Sequence, residues 1–245
     1  MEIIVKNNYE EMSLFAAQVV IDVIKENPKA VICFPTGSTP VRMYQLLVEA
    51  CLNKEVDFSK VRVRSVDEYV GLAKDNDQSY AYFLWDNLLS KVNAYPENIK
   101  LLDGSTIDAE KACLEYQAMI TDEGGIDLYI DGVGVNGHIG FNEPADCIAL
   151  YYHNQEISLE TRLANSRFFG ELLEVPTHAL SIGIYDILNA KKALFLSNGK
   201  HKAETWKRFL ANDTVTTDFP LSFMRLAKNA IAVLDKDSAT LLPKE

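Results

Sequence analysis

The stretch GVGVNGHIGFNEP (residues 132–144) places a histidine and a glutamate, His138 and Glu143, on a glycine-rich loop. The loop directly follows IDLYID (residues 126–131), an apolar run that predicts a buried strand. An imidazole titrates near neutral pH and suits proton transfer, and a neighbouring carboxylate can orient and polarise it. A structural role, in which His138 caps the strand end, is the alternative. The residue types favour acid–base chemistry.

A metal site is a competing interpretation of the same loop, but it lacks a second histidine or cysteine at ligand spacing. The remaining histidines are interpreted as surface or packing residues: His153, His178 and His201. The cysteines are widely spaced with no CxxC pair, which predicts reduced thiols: Cys33, Cys51, Cys113 and Cys147. We therefore expect neither a metal nor a cofactor.

PTGSTP (residues 35–40) follows the apolar run AVICF (residues 30–34) and leads into a predicted helix. Gly37 allows close backbone approach, and hydroxyls lie beside the N–H groups of a helix start, which is a phosphate-binding arrangement. The hydroxyls belong to Thr36, Ser38 and Thr39. The loop lacks the Gly-Lys-Ser/Thr end of a nucleotide-binding loop. A plain helix start with Pro40 in the first turn is the alternative.

The segment SVDEYVGL places Asp67 and Glu68 after another predicted strand. A carboxylate there can be a base, a metal ligand or a solvated charge. Adjacent residues on an extended segment point in opposite directions, so only one of the two is expected to face a pocket.

A covalent nucleophile is hard to find, because no GxSxG elbow exists and no cysteine lies beside a histidine. Lys202, at a predicted helix start after ALFLS, suits an anion-binding charge better than a Schiff base. Together these residues indicate proton transfer on a phosphorylated small molecule.

The elements that must position these residues alternate along the chain. Helices are predicted over residues 9–25, 41–51, 80–92, 108–122, 159–169 and 201–211. Strands are predicted over residues 30–34, 61–66, 126–131, 179–182, 193–197 and 231–235. The alternation predicts a single doubly wound α/β domain over residues 1–245, with a mostly parallel sheet and helices on both faces. Ligands bind beyond the carboxyl ends of such strands, where the three polar segments would meet.

The composition of the chain limits the kinds of partner that it can bind. The chain has 245 residues and a net charge of −11, which argues against nucleic acid and an anionic membrane surface. It contains no apolar run of membrane-spanning length, and its opening MEIIVKNNYEEM does not resemble a secretory signal. We expect a cytoplasmic protein whose partner is a small molecule.

The motifs PTGSTP, VDEYVGL, SYAYF, GHIGFNEP and TRLANSRFF, in this order, resemble the glucosamine-6-phosphate deaminase (isomerase) family, particularly its short bacterial form. The resemblance covers about residues 31–235, and GHIGFNEP with DEYVGL is a highly specific pair. The related 6-phosphogluconolactonases share the fold but lack the Asn-Glu-Pro. The resemblance implies conversion of glucosamine 6-phosphate and water to fructose 6-phosphate and ammonia.

The resemblance also implies residue roles. Asp67 matches the base that accepts the C2 proton, and His138 matches the group that opens the sugar ring, supported by Asn136 and Glu143. Some relatives carry Asp at the position of Asn136, which here can only orient by hydrogen bonding. The positions implied for the substrate phosphate are Thr36, Gly37, Ser38, Thr39, Arg167 and Lys202.

Two departures leave the sugar epimer open. After Pro144 the chain reads ADCIALYYHNQ, where glucosamine enzymes have a Ser-Arg-Thr-like stretch. Residues 222–227 read SFMRLA in place of Ser-Ala-Leu-x-x-His. The stretch YDILNAKKALFL and the Ser-Phe at residues 222–223 instead resemble galactosamine-6-phosphate deaminase/isomerases, which would give tagatose 6-phosphate.

Other functions fit less well. Lactonase action needs no C2 base, and a sugar-phosphate-sensing regulator predicts an added helix-turn-helix and a degraded catalytic set. The short C-terminal segment favours a monomer without an amino-sugar activator.

Overall fold

The computed structural model describes residues 1–171 and 174–243, and of Arg167 and Phe168 it describes the backbone alone. The strands are β1 (Glu2–Lys6), β2 (Val31–Phe34), β3 (Arg62–Ser65), β4 (Asp67–Tyr69), β5 (Ile99–Lys100), β6 (Leu128–Asp131), β7 (His153–Glu156), β8 (His178–Ser181), β9 (Lys192–Ser197) and β10 (Ala230–Asp235). The helices are α1 (Tyr9–Glu26), α2 (Val41–Leu52), α3 (Tyr80–Leu84), α4 (Ala109–Asp122), α5 (Leu159–Phe169), α6 (Ile184–Asn189) and α7 (Ala203–Ala211).

The main sheet of the described chain has seven parallel strands in the order β1-β10-β9-β6-β2-β3-β5. Strands β2 and β6 are buried at every position, as their apolar sequences require when both faces of a sheet are covered. Helices α1 and α2 pack on one face, whereas α4, α6 and α7 pack on the other. The predicted doubly wound α/β fold is confirmed.

The strand order reverses beside β2. From β2 the chain moves outward to β3 and β5, and it then returns to β6 on the opposite side of β2 before continuing to β9 and β10. Loops that leave adjacent strands in opposite directions open a crevice at their carboxyl ends. The segments 35–40 and 132–144 leave these two strands and line that crevice.

A second sheet was not predicted. The strand expected over residues 179–182 forms as β8, but it pairs antiparallel with β4 and β7 in a three-stranded sheet outside the main one. The apolar run predicts a strand without indicating its partners. Part of the segment DEYVGL is therefore strand β4 rather than a loop, which fixes Asp67 opposite Ser181.

The helix predicted over residues 80–92 is α-helical only over α3 and continues as a π-helical turn, Trp85–Leu89. Strand β1 was not predicted because it lies at the sheet edge and is only partly buried. Within the described part of the chain, no helix combines the length and hydropathy of a membrane span.

Candidate active site

The loop 132–144 folds tightly back on itself. The backbone N–H of Gly134 donates to the carbonyl of His138 at 2.9 Å, and Gly137 N–H donates to Gly134 O at 3.0 Å. The His138 ring lies against Gly134, where an added Cβ would come within 2.4 Å of the imidazole. Gly137 has a φ of +89° and leaves no room for a Cβ above the ring of Phe219. Glycine at these two positions is what lets the loop present His138.

The predicted partners of His138 converge on it. His138 Nδ1 lies 3.6 Å from Glu143 Oε2, slightly beyond hydrogen-bond distance, as acid–base pairs often do before a ligand binds. Asn136 Nδ2 donates to the same carboxylate oxygen at 2.9 Å, and Asn136 Oδ1 accepts from the His138 backbone N–H at 3.1 Å. The side chains of Asn136, His138 and Glu143 therefore form one connected group.

Glu143 is anionic in this group. Burial raises its pKa, but the neighbouring His138 and hydrogen bonds from Thr161 and Asn136 outweigh burial and hold the pKa of Glu143 at about 2. Thr161 Oγ1, on α5, donates to Glu143 Oε1 at 2.5 Å. A fixed negative charge is thus available to stabilise a protonated imidazole.

Asp67 and Glu68 have different environments, as the alternation of an extended segment predicts. Glu68 is buried and accepts backbone N–H groups from Tyr69, Tyr80 and Ala81 at 2.8–2.9 Å, which ties β4 to the start of α3. Burial nevertheless raises the pKa of Glu68 to about 7. Asp67 keeps some exposed surface. Its pKa is nevertheless raised well above the usual carboxyl range, mainly because the carboxyl is largely removed from water and also because Asp131 and Glu68 are negatively charged neighbours. Asp67 is thus the more exposed of the two carboxylates, and its role as the base stays a prediction.

Asp131 is a buried carboxylate beside the site that the sequence analysis missed. It ends β6 and accepts hydrogen bonds from the backbone of Gly132 and Gly140 and from the hydroxyl of Tyr129. An aspartate that closes an apolar strand directly before a glycine-rich loop was the available signal. Thr161, also missed, gives no comparable signal because it lies 18 residues beyond Glu143.

The segment PTGSTP links β2 to α2 without capping the helix through a side chain. Pro40 is the N-cap residue, in αR conformation, and makes no side-chain cap hydrogen bond. Gly37 has a φ of +88° and open space where a Cβ would stand. The Tyr9 hydroxyl accepts from Arg42 N at 3.1 Å and donates to Thr39 O at 3.0 Å, which holds the loop against α1. Pro40 is therefore the N-cap residue rather than a residue of the first turn, and phosphate binding by this loop stays a prediction.

The loop that carries Lys202 contacts both other loops. Thr39 Oγ1 donates to Asn198 Oδ1 at 2.8 Å, directly after β9. Thr205 Oγ1, at the start of α7, donates to Val135 O at 2.7 Å. Lys202 lies between these two contacts, at the end of the 3₁₀ turn Lys200–Lys202. Segments that are distant in sequence thus meet at one edge of the sheet.

Arg167 lies on α5, the helix that contributes Thr161, but its side chain falls outside the described residues. Its predicted phosphate contact stays a prediction. Among the described residues, no three or more histidine, cysteine, aspartate or glutamate side chains are placed together to hold a metal ion.

A hydroxyl-lined helix start beside carboxylates and an imidazole, at the switch point of a parallel sheet, defines a site for proton transfer on a phosphorylated small molecule. The chain belongs to the family described as glucosamine-6-phosphate isomerases/6-phosphogluconolactonase, whose model matches residues 7–233.

Similar proteins cover the chain from end to end. A glucosamine-6-phosphate deaminase of Thermoanaerobacter sp. (strain X514) is 42% identical over 245 residues, which are 100% of this chain and 96% of that protein. The glucosamine-6-phosphate deaminase of Clostridium perfringens (strain ATCC 13124) is 41% identical over 242 residues, 99% of this chain and 100% of that one.

Solved structures agree with the fold. The structure of a monomeric glucosamine-6-phosphate deaminase has a TM-score of 0.95 at 34% identity and covers 98% of this chain and 100% of its own. The 6-phosphogluconolactonase from Trypanosoma cruzi has a TM-score of 0.79 at 19% identity and covers 99% of this chain and 97% of its own. The second likeness extends to the fold alone.

Proposed function

We propose that this protein is an amino-sugar-phosphate deaminase that converts glucosamine 6-phosphate and water to fructose 6-phosphate and ammonia. The observation that carries the proposal is the connected Asn136–His138–Glu143 group, to which Asp67 is linked electrostatically through Asp131, at the sheet edge where the loop Thr36–Thr39 also begins. The family membership and the relatives above 40% identity support the same reaction.

In the first step the pyranose ring opens. His138 takes the proton of the O1 hydroxyl and delivers a proton to the ring oxygen O5, so that the C1–O5 bond breaks and an aldehyde forms. Glu143, held anionic, stabilises the imidazolium that exists between the two transfers. Asn136 orients Glu143 and the loop backbone without carrying charge.

In the second step Asp67 moves a proton from C2 to C1. It removes the C2 proton while the aldehyde oxygen is protonated, which gives an enolamine, and it returns the proton to C1, which leaves an imine at C2. A carboxyl whose pKa is raised by burial is a stronger base than one in water and suits this step. Water then adds to the C2 imine, and ammonia leaves, so that the ketose remains.

The phosphate provides binding rather than chemistry. We assign it to the loop Thr36–Thr39, where Gly37 leaves space for close approach and α2 begins without a side-chain cap. Lys202 follows the loop that Thr39 contacts, and Arg167 on α5 completes the assignment. Positive residues are needed here because the net charge of the chain is −11.

The test is ammonia release from glucosamine 6-phosphate and galactosamine 6-phosphate, measured side by side with the product identified by NMR. We expect fructose 6-phosphate from the glucosamine substrate at the higher kcat/KM. A higher kcat/KM for the galactosamine substrate, with tagatose 6-phosphate as product, would assign the enzyme to the other epimer. Absence of ammonia from both would contradict the proposal.

We further propose that the enzyme acts in the cytoplasm as a monomer. The support is the 34% identical deaminase described as monomeric, which this chain matches over 98% of its length. Sedimentation at enzyme concentrations above and below the assay range tests the oligomeric state.

A further inference from the structure

Asp131 has an unusual environment for a buried carboxylate. Its side chain is 9% exposed at the carboxyl end of β6. Its Oδ1 accepts from Gly132 N–H at 2.7 Å, and its Oδ2 accepts from Gly140 N–H at 2.6 Å and from the Tyr129 hydroxyl at 2.5 Å. Burial raises the pKa of Asp131, and the three donors that point at its carboxyl group oppose this rise by favouring the ionised form.

Two of these donors belong to the loop that carries His138. Gly132 is the first residue after β6, and Gly140 lies two residues beyond His138. One carboxylate therefore fixes both ends of the segment that presents the imidazole. An amide in its place would turn an NH₂ group toward one of the donors and would lose that contact.

The charge of Asp131 also acts on the crevice. The charged and titratable groups that influence or face Asp67 are Asp131 and Tyr129 on β6, Glu68 and Tyr69 on β4, and Tyr80 on α3. His138 also lies close enough to Asp131 to lower the pKa of that carboxyl. Within this group, burial raises the pKa of Asp67 most, and the Asp131 charge adds to it.

We propose that Asp131 is a positioning residue of the active site: its carboxylate holds the loop that carries His138 and places a negative charge beside Asp67. The inference rests on the proposed function for its catalytic meaning. It assigns to one buried side chain two effects, the geometry of the ring-opening group and the basicity of the enolisation base.

A titration of Asp67 tests the charge effect without any need for turnover. Protein labelled with ¹³C at aspartate carboxyls is titrated by NMR, and the Asp67 signal is assigned by its loss in Asp67→Asn. We expect Asp131→Asn to lower the Asp67 midpoint by about one pH unit, because a negative neighbour is removed.

Asp127→Asn is the matched control. Asp127 directly precedes the amino end of the same strand, is also 9% exposed, and pairs with Lys191. Its loss should lower the melting temperature and leave the Asp67 midpoint where it is. An equal shift in both variants would show a general effect of loosening β6 and would overturn the proposal.

Tyr129→Phe provides a second variant should Asp131→Asn fail to fold. It removes one donor and keeps every carboxylate, so the Asp131 pKa rises and the Asp67 midpoint falls by less than in Asp131→Asn. An Asp67 midpoint at the wild-type value in every folded variant would overturn the charge effect.

Measurements of ammonia release distinguish a failure of the Asp131 proposal from a failure of the proposed function. Ammonia release by the wild-type enzyme tests the proposed function alone. In Asp131→Asn we expect kcat to fall about tenfold and the acid limb of kcat/KM to move to lower pH, because that limb reports the free enzyme's base. Wild-type kcat and an unmoved limb in a folded Asp131→Asn would overturn the positioning role while leaving the deaminase assignment intact.

Discussion

Two aspartates, one directly before strand β6 and one at its carboxyl end, have opposite electrostatic settings. Asp127 and Asp131 are four residues apart and equally buried, at 9% exposure. Asp127 pairs with Lys191 Nζ at 2.7 Å and accepts from Val31 N–H at 2.7 Å. Asp131 is held by uncharged donors and acts on a second carboxylate, Asp67.

The same contrast, between paired charges and neighbouring carboxylates, distinguishes the amino edge of the sheet from its carboxyl edge. Near the amino edge, the buried Arg64 bonds to Glu123, and Arg62 bonds to the carbonyl of Lys29 at 2.9 Å. At the carboxyl edge, carboxylates lie beside one another or beside a histidine. Paired charges avoid the cost of an isolated buried charge, whereas like charges shift pKa values toward those that acid–base catalysis requires. The amino edge pairs its buried charges, whereas at the carboxyl edge the charge of Asp131 raises the pKa of the neighbouring Asp67.

Asp67→Asn should have the largest effect on turnover, because it removes the proposed base and leaves the phosphate contacts. We expect kcat to fall about 10²–10⁴-fold with little change in substrate binding. Asp127→Asn should keep turnover per folded molecule and lose stability. Steady-state kinetics and melting curves on the same preparations give both quantities. Near wild-type turnover in Asp67→Asn would remove Asp67 from the base role.

Glu143→Gln should lower the free energy of unfolding, because the carboxylate of Glu143 stabilises the loop that carries His138. The pKa of Glu143 is about 2 in the folded protein and near 4.5 without its partners. The charged form therefore stabilises the fold by about 3 kcal/mol above pH 4.5, and this contribution is lost as pH falls from 4.5 toward 2.

Urea unfolding of the wild type and of Glu143→Gln at several pH values measures this difference. The gap in unfolding free energy should be full at pH 7 and should narrow below pH 4.5, since glutamine does not titrate. A gap that stays constant down to pH 3 would show that the charge of Glu143 contributes nothing to stability.

Lys202→Ala should have the smallest effect. A phosphate contact is made equally in the ground state and the transition state, so KM should rise about tenfold with kcat little changed. Lys207→Ala, on the exposed face of α7 where Lys207 pairs with Glu204, is the matched control and should leave KM unchanged. An unaltered KM in Lys202→Ala would exclude Lys202 from the phosphate site.

Sequence patterns predict this fold and much of the site because each polar segment directly follows an apolar run. The rule that ligands bind at the carboxyl edge then brings Asp67, His138 and the loop Thr36–Thr39 together. The small sheet is different, since β4 pairs antiparallel with β8 more than 100 residues later, and strands of three or four residues carry no signal of their partners.

The role of Asp131 could not be predicted from the local sequence. An aspartate at the end of a strand is compatible with a solvated turn, and its sequence does not show that Gly140 folds back onto it. Its influence on Asp67 depends on the relative positions of β4 and β6 in the folded protein. Electrostatic coupling between residues 64 positions apart is a tertiary property, which the pattern of one strand cannot contain.

Isotope incorporation from solvent tests the central claim, that Asp67 enolises the open-chain sugar, most directly. Glucosamine 6-phosphate is converted in ²H₂O, and deuterium at C1 of the fructose 6-phosphate is measured by NMR beside a control without enzyme. Asp67 is partly exposed, so its acquired proton exchanges with water. We predict deuterium at C1 in a measurable fraction of the wild-type product, formed at least 10²-fold more slowly by Asp67→Asn. Labelled product formed by Asp67→Asn at the wild-type rate would contradict the account, whereas protium retained at C1 of the wild-type product would show only that transfer from C2 outruns exchange.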